Sequence, residues 1–229
     1  MRTSAGLGDL RRAALVRLMK ARSARRARVH VDGLALEVAP GVCNPAPFGG
    51  VSLAPLYAAA LEGLAPGERV LDVGTGCGVW ALLAAKAGAS VTATELPHVD
   101  LTPVAAAARA HGLPAPRLLT GDLFAPLAGE RFARVLFNPP FHFGEPADDA
   151  ERAYLGGARG EVLCRFLAAL PAHLEPRGRG YVIVPGIERE GYADALAGFD
   201  VDERAARWLP VLGRVALLAL NPRPASSGG

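Results

Sequence analysis

Asn138-Pro139-Pro140-Phe141 follows an apolar run, Val135-Leu136-Phe137, that reads as a buried strand. A turn there points an amide side chain, a proline carbonyl and an aromatic ring into one small space. The Asn138 oxygen and the Pro139 carbonyl can each accept one hydrogen of a planar NH₂ group, and the Phe141 ring can stack on its face. A hydrophobic core has little use for such a set. It suits holding an amide or an amino-base while its nitrogen is alkylated.

A second constellation lies upstream. Val70-Leu71-Asp72-Val73-Gly74-Thr75-Gly76-Cys77-Gly78 reads as a strand running into a glycine-rich turn that opens a helix. Glycines let the backbone approach a ligand and adopt positive φ. Gly76-x-Gly78-x-x-Ala81, with Glu95 downstream, also fits a dinucleotide fingerprint. Against that reading, the glycines begin earlier, at Gly74, and Asp72 would repel a pyrophosphate. A carboxylate at that point suits an ammonium or sulfonium ligand. Glu95, which ends Val91-Thr92-Ala93-Thr94-Glu95 and precedes Leu96, can accept both hydroxyls of a ribose. Asp122, in Gly121-Asp122-Leu123-Phe124, can accept an amino group such as that of adenine, with Leu123 and Phe124 flanking the ring. Taken singly, Glu95 is equally a solvated end-of-strand charge and Asp122 an Asx-turn.

The elements that must position these residues alternate along the chain. Strands are predicted near 69–73, 90–95, 116–119, 133–138 and 180–185, with helices near 78–87, 101–111, 157–174 and 188–197. Such alternation requires right-handed crossovers and a parallel sheet covered on both faces. Phe199–Arg207 and Val215–Leu220 are strands without a helix between them, so one runs antiparallel. Ahead of this body, Leu7 to about Arg26 predicts a helix with Leu7, Leu10, Ala14 and Leu18 on its apolar face. Arg28–Val38 predicts a hairpin around Asp32-Gly33, a pair favoured in type I′ turns. Residues 39–50 form a Pro/Gly-rich loop, whose Phe48 either covers a ligand or packs in the core. The chain thus divides into a basic extension (1–50), one α/β domain (51–221) and a disordered tail (222–229).

Charge and composition narrow the class. The 229 residues carry 25 basic and 22 acidic side chains, and 51% hydrophobic content supports a sizeable core. The basic excess is local: residues 1–28 hold nine basic side chains against Asp9 alone, leaving 16 basic and 21 acidic in the remainder. That arm suggests an anionic partner such as RNA or an acidic protein, although an Arg-rich composition throughout gives the same pattern. Cys43, Cys77 and Cys164 form no CxxC pair, which argues against a disulfide framework or a structural zinc site, and no metal is expected. No apolar run approaches membrane-spanning length, so a reducing cytoplasm is the expected setting.

Asp72, the glycines, Glu95, Asp122 and Asn138 all fall at the C-terminal ends of successive predicted strands. In this the chain resembles a class I S-adenosylmethionine-dependent methyltransferase over about residues 45–221, and its Asn-Pro-Pro-Phe tetrapeptide resembles the branch that methylates planar nitrogens. The resemblance implies a Rossmann-like, doubly wound seven-stranded sheet, mostly parallel with an antiparallel last strand. It implies S-adenosylmethionine held by Asp72, Gly74, Thr75, Gly76, Gly78, Glu95, Leu96, Asp122, Leu123 and Asn138. Asn138, Pro139, Pro140 and Phe141 then form the catalytic clamp. Residues 153–167, with Gly156-Gly157, are similar to the segment after the catalytic motif in archaeal and eukaryotic glutamine methyltransferases, which also lack a long helical substrate domain. Phe141-His142-Phe143-Gly144 is similar instead to guanine-N2 rRNA enzymes. The expected acceptor is therefore a protein glutamine, with a guanine-N2 or adenine-N6 base or a small molecule as the alternative; a binding module without chemistry is a third reading. His142 is expected at the lip of the site, with proton transfer as an alternative role.

Overall fold

The computed structural model describes residues 4–45, 53–209 and 212–224, and the side chains from Ala13 onward within them except that of Ile187. Phe48 and the end of the predicted tail lie outside these residues. Helix α1 (Ser4–Ser23) leads into strands β1 (Ala27–Val31) and β2 (Leu34–Val38). These pair antiparallel around Asp32 and Gly33, whose φ angles of 47° and 79° are those of the predicted type I′ turn. The Lys86 ammonium binds the turn through the Asp32 carbonyl (2.6 Å) and carboxylate (2.8 Å). Just past the same turn, the Ala35 amide donates to His111 Nε2 at 3.0 Å.

The body then alternates α2 (Ala54–Leu61), β3 (Arg69–Val73), α3 (Val79–Lys86), β4 (Ser90–Glu95), α4 (Thr102–Ala110), β5 (Arg117–Thr120) and β6 (Phe132–Phe137). It continues through α5 (Asp149–Arg152), α6 (Glu161–Ala169), β7 (Leu174–Pro185), the one-turn helices α7 (Gly186–Arg189) and α8 (Ala193–Leu196), β8 (Phe199–Leu209) and β9 (Gly213–Pro222). The seven strands order as β5-β4-β3-β6-β7-β9-β8, parallel throughout except that β9 runs antiparallel to both neighbours. The order reverses between β3 and β6. That is the place where an open sheet of this kind leaves a crevice outside its strand ends.

The central strands read as near-continuous apolar runs because both their faces are covered. Helices α2, α3 and α4 and the hairpin bury Leu56, Leu82, Val104 and Leu36 on one face. Helices α6 and α8 bury Phe166, Leu167 and Leu196 on the other. Each such side chain stabilises the fold by about 1.5–3 kcal/mol.

Four expectations are corrected. Helix α1 buries Leu15, Val16, Met19 and Ser23, while Ala14 and Leu18 are exposed. A helix rich in Ala, Leu and Val offers more than one apolar stripe, and its partner, the segment around Tyr154, selects among them. The helix predicted over 157–174 begins only at Glu161, because Gly157 (φ 96°) and Gly160 (φ 72°) are left-handed, and its last residues tighten into a 3₁₀ turn over Leu170–His173. The one predicted over 188–197 is broken into α7, a 3₁₀ turn over Glu190–Tyr192, and α8. Strands β7 and β9 also overrun their predicted limits; β9 reaches Pro222, which pairs with Phe199.

Gly78 caps α3 with φ 82°, and a Cβ there would lie 2.6 Å from Val104 Cγ1. Gly78→Ala should therefore cost about 2–4 kcal/mol, from left-handed strain plus overpacking. In a double-mutant cycle read by urea denaturation, Val104→Ala should recover the clash and leave the backbone part. Equal stability of Gly78→Ala and wild type would refute this.

Candidate active site

A cleft of about 570 Å³ opens at the C-terminal edge of the sheet, over β4, β3 and β6. That volume suits a small-molecule ligand. Its floor is the loop from β3 to α3. Gly74, Gly76 and Gly78 have φ of 62°, 57° and 82°, a backbone that L side chains rarely adopt. Two carboxylates fix the loop. Asp72 is buried, and its Oδ2 accepts from the Thr75 hydroxyl (2.7 Å) and the Ala81 amide (3.0 Å), tying the strand end to the helix start. Glu95 accepts from the Gly76 amide (2.8 Å) and the Leu96 amide (2.7 Å), so β4 holds the loop from the side.

Both carboxyls are hard to ionise. Burial pushes Asp72 up to about 7, against the opposing pull of its bonds from Thr75 and Ala81. Burial also raises Glu95, again partly offset by its two amide donors. A cationic group placed beside Asp72 would favour its charged form.

Of the residues singled out by sequence, Asp72, Gly74, Thr75, Gly76, Glu95, Leu96, Asp122, Leu123, Asn138 and Pro140 all line this one cleft. Gly78 lies behind it. Asp122 is half exposed and held by Arg165 from α6, a partner the sequence did not suggest. The Asn138 Oδ1 is buried without a hydrogen-bond partner, as is the Thr94 Oγ1 on the cleft's β4 side. An orphaned buried acceptor is costly unless a ligand donor completes it. The residues present therefore fit a bound group with amine and hydroxyl donors.

Three neighbours of Asn138 sit differently from expectation. Pro139 and Phe141 are buried and do not line the cleft. The Phe141 ring packs in the core, edge-on to His142 at 4.8 Å, and its carbonyl accepts from the Tyr192 hydroxyl at 3.0 Å. His142, expected at the lip, is 2% exposed, with Nδ1 3.3 Å from a buried Glu188 oxygen. The cause is backbone pairing. The His142 amide donates to the Tyr154 carbonyl, the Gly156 amide to the His142 carbonyl, and Gly144 and Gly157 exchange bonds in both directions. This turns the chain inward immediately after Pro140. Gly156 permits the approach, since a Cβ there would meet the Pro140 oxygen at 2.2 Å.

Sequence reasoning also missed lining residues. Trp80 lies in the first turn after the glycine loop and donates Nε1 to the Tyr57 carbonyl at 3.2 Å. Its position just beyond Gly78 was a usable signal. Arg152, His98, Gly41, Val42, Cys43 and Pro45 reach the cleft from segments with no periodic signature.

A seven-stranded sheet with this order and one antiparallel strand, and a cleft over its switch point, define the class I methyltransferase fold. The chain belongs to the methyltransferase small domain family, which matches residues 55–196. It is 38% identical over 135 residues to a ribosomal protein uL3 glutamine methyltransferase of Bradyrhizobium diazoefficiens, covering 54% of this chain and 42% of that protein. It is 37% identical over 122 residues to a release factor glutamine methyltransferase of Xylella fastidiosa, covering 48% and 44%. The chain thus spans under half the length of these relatives. A 16S rRNA N2 methyltransferase of T. thermophilus, solved with AdoMet and guanosine, superposes with a TM-score of 0.64 at 23% identity, over 87% of this chain and 50% of that one.

Asp72 gives a signed pH prediction. Its folded value of about 7 exceeds the ordinary 3.8, so between these the folded chain keeps a proton that the unfolded chain has released. Its contribution to stability is therefore full at low pH, declines as pH rises through this window, and is flat above it. The stability of wild type relative to Asp72→Asn should fall between about pH 4 and pH 7 in urea titrations. A constant difference would place the Asp72 pKa near its ordinary value.

Proposed function

We propose that this chain transfers a methyl group from S-adenosylmethionine to the side-chain nitrogen of a protein glutamine, in the cytoplasm. The observation that carries the reading is the buried, unpartnered Asn138 Oδ1 in the same cleft that the Asp72–Glu95 glycine loop lines. The two curated relatives described above are glutamine methyltransferases by name, which supports an amide acceptor.

When bound, S-adenosylmethionine supplies a methyl group already activated by its sulfonium. Gly74, Thr75, Gly76 and Gly78 shape the loop that admits its amino-acid end, and Asp72 beneath them favours its positive charge. Glu95, whose oxygens each keep a free lone pair beyond their amide donors, accepts the ribose hydroxyls. Leu96 and Leu123 enclose the base, and Asp122 accepts its amino group while paired with Arg165.

On the acceptor side, the Asn138 oxygen accepts one N–H hydrogen of the amide, while Pro139, expected to accept the other, lies behind the cleft wall. An amide nitrogen is a poor nucleophile because its lone pair is delocalised. Holding that hydrogen orients the lone pair toward the methyl group and steadies the positive charge that grows on nitrogen. Pro140 forms the near wall. Phe141 serves by packing beneath the clamp, where Tyr192 fixes its carbonyl. The buried His142 is a support of this turn, and the released proton leaves to water.

Asn138→Ala should lower kcat roughly 10²–10³-fold, the loss usual for a donor or acceptor aligned with developing charge. S-adenosylmethionine affinity by calorimetry should change little; near-wild-type turnover would sink the assignment. With tritiated methyl donor and cell extract, label should enter protease-sensitive material and appear as methylglutamine after digestion. Label in RNase-sensitive material would replace glutamine with a nucleobase.

A further inference from the structure

The basic helix α1 is not a free arm. Its last turn touches both loop segments that wall the cleft. The Lys20 ammonium binds the Asp148 and Glu151 carboxylates at α5, the latter at 3.2 Å. The Tyr154 hydroxyl donates to the Met19 carbonyl at 3.4 Å, and the Gly41 amide to the Ser23 carbonyl at 2.9 Å. Gly41, Asp149, Arg152 and Ala153 line the cleft. Leu15, Val16 and Met19 are buried beneath, so the helix is seated by apolar packing as well as by charge.

This seating leaves one set of cations turned outward. Arg17, Arg22, Arg25 and Arg28 are exposed, and among the described residues none of them has a carboxylate partner. Among the described side chains of this stretch, Lys20 and Arg26 are paired, Arg26 with Glu37. Elsewhere on the surface Arg69, Arg117, Arg165 and Arg214 each hold a carboxylate, whereas Arg109, Arg159, Arg177 and Arg179 are exposed with no carboxylate partner among the described residues but come from three separate segments. Lys20 also neutralises the two acids of the rim that would otherwise repel an anion approaching along α1. Guanidinium groups suit phosphates through paired N–H donors and suit bases through stacking. Leu18, 43% exposed between Arg17 and Arg22, adds an apolar surface of the kind an unpaired base can use.

We infer that Arg17, Arg22, Arg25 and Arg28 form an RNA-docking surface on the outer side of the cleft's rim. The RNA binds by its phosphates. The placement beside the acceptor mouth rests on the methyl-transfer reading; RNA affinity does not.

The test is fluorescence anisotropy of the full chain with a labelled ribosomal RNA hairpin over a KCl series. The Arg17→Gln/Arg22→Gln/Arg25→Gln/Arg28→Gln variant should bind at least about tenfold more weakly, and its slope of log affinity against log salt should flatten by roughly 0.7–0.9 for each phosphate no longer neutralised. Its urea midpoint and S-adenosylmethionine affinity should match wild type, and the four Arg→Lys replacements should restore most of the salt slope. An unchanged slope in the Gln variant overturns the inference. Wild-type binding of a polyglutamate peptide as tight as that of the hairpin also overturns it, in favour of an acidic protein. Because no methyl transfer is measured, failure here is separate from failure of the proposed reaction.

Discussion

One oxygen of Asp72 organises the glycine-loop side of the cleft. It accepts from the hydroxyl of Thr75 and the amide of Ala81, so a single buried atom fixes both ends of the glycine turn. Without those two donors a carboxyl at this depth would be costly. Without the carboxyl, a loop with three left-handed glycines would have many conformations to choose from. The Glu95 bond to Gly76 then sets where the middle of the loop lies. Val42, whose Cγ1 would stand 3.2 Å from a Cβ at Gly76, packs the N-terminal segment against the same point. The donor half is therefore rigid because two strands, a helix start and a loop share one small set of hydrogen bonds.

The acceptor half is built by other means. Asn138 stands at the end of β6, but everything after Pro140 is held by loop-to-loop pairing with residues 154–157. Gly156 makes that possible, because no side chain fits against the Pro140 carbonyl. The glycine pair that resembles glutamine methyltransferases thus has a local mechanical explanation. It brings a second strand-like segment against the tetrapeptide and drives Phe141 and His142 into the protein. Helix α1 then braces that segment from outside through Met19 and Lys20.

Much of this was legible in the residue order. Short, largely apolar runs around Asp72 and before Glu95 and Asn138 marked the strands and placed the chemistry at one edge. This works because parallel strands buried on both faces are mostly apolar along their length, so Glu95 and Asn138 mark where two of them leave the core, while Asp72 stays buried inside its strand. The type I′ turn at Asp32-Gly33 and the antiparallel end of the sheet were equally local inferences. The interruption at Gly157 and Gly160 was visible too, but the helical period continues across it and hides the break.

What the sequence could not supply were choices among partners. Periodicity states that α1 has an apolar face, yet Tyr154, 135 residues beyond Met19, decides which one is buried. It ranks His142 as polar and therefore near solvent, whereas pairing with Gly156 and the Glu188 carboxylate place it inside. Nor does any local pattern join Asp122 to Arg165 or bring Trp80 over Tyr57. By itself the sequence determined which residues carry charge and amide chemistry and at which strand ends they stand, because those depend on short-range order. Only the tertiary structure decided which of them face the cleft and which lie beneath it, because that depends on contacts between segments far apart in the chain.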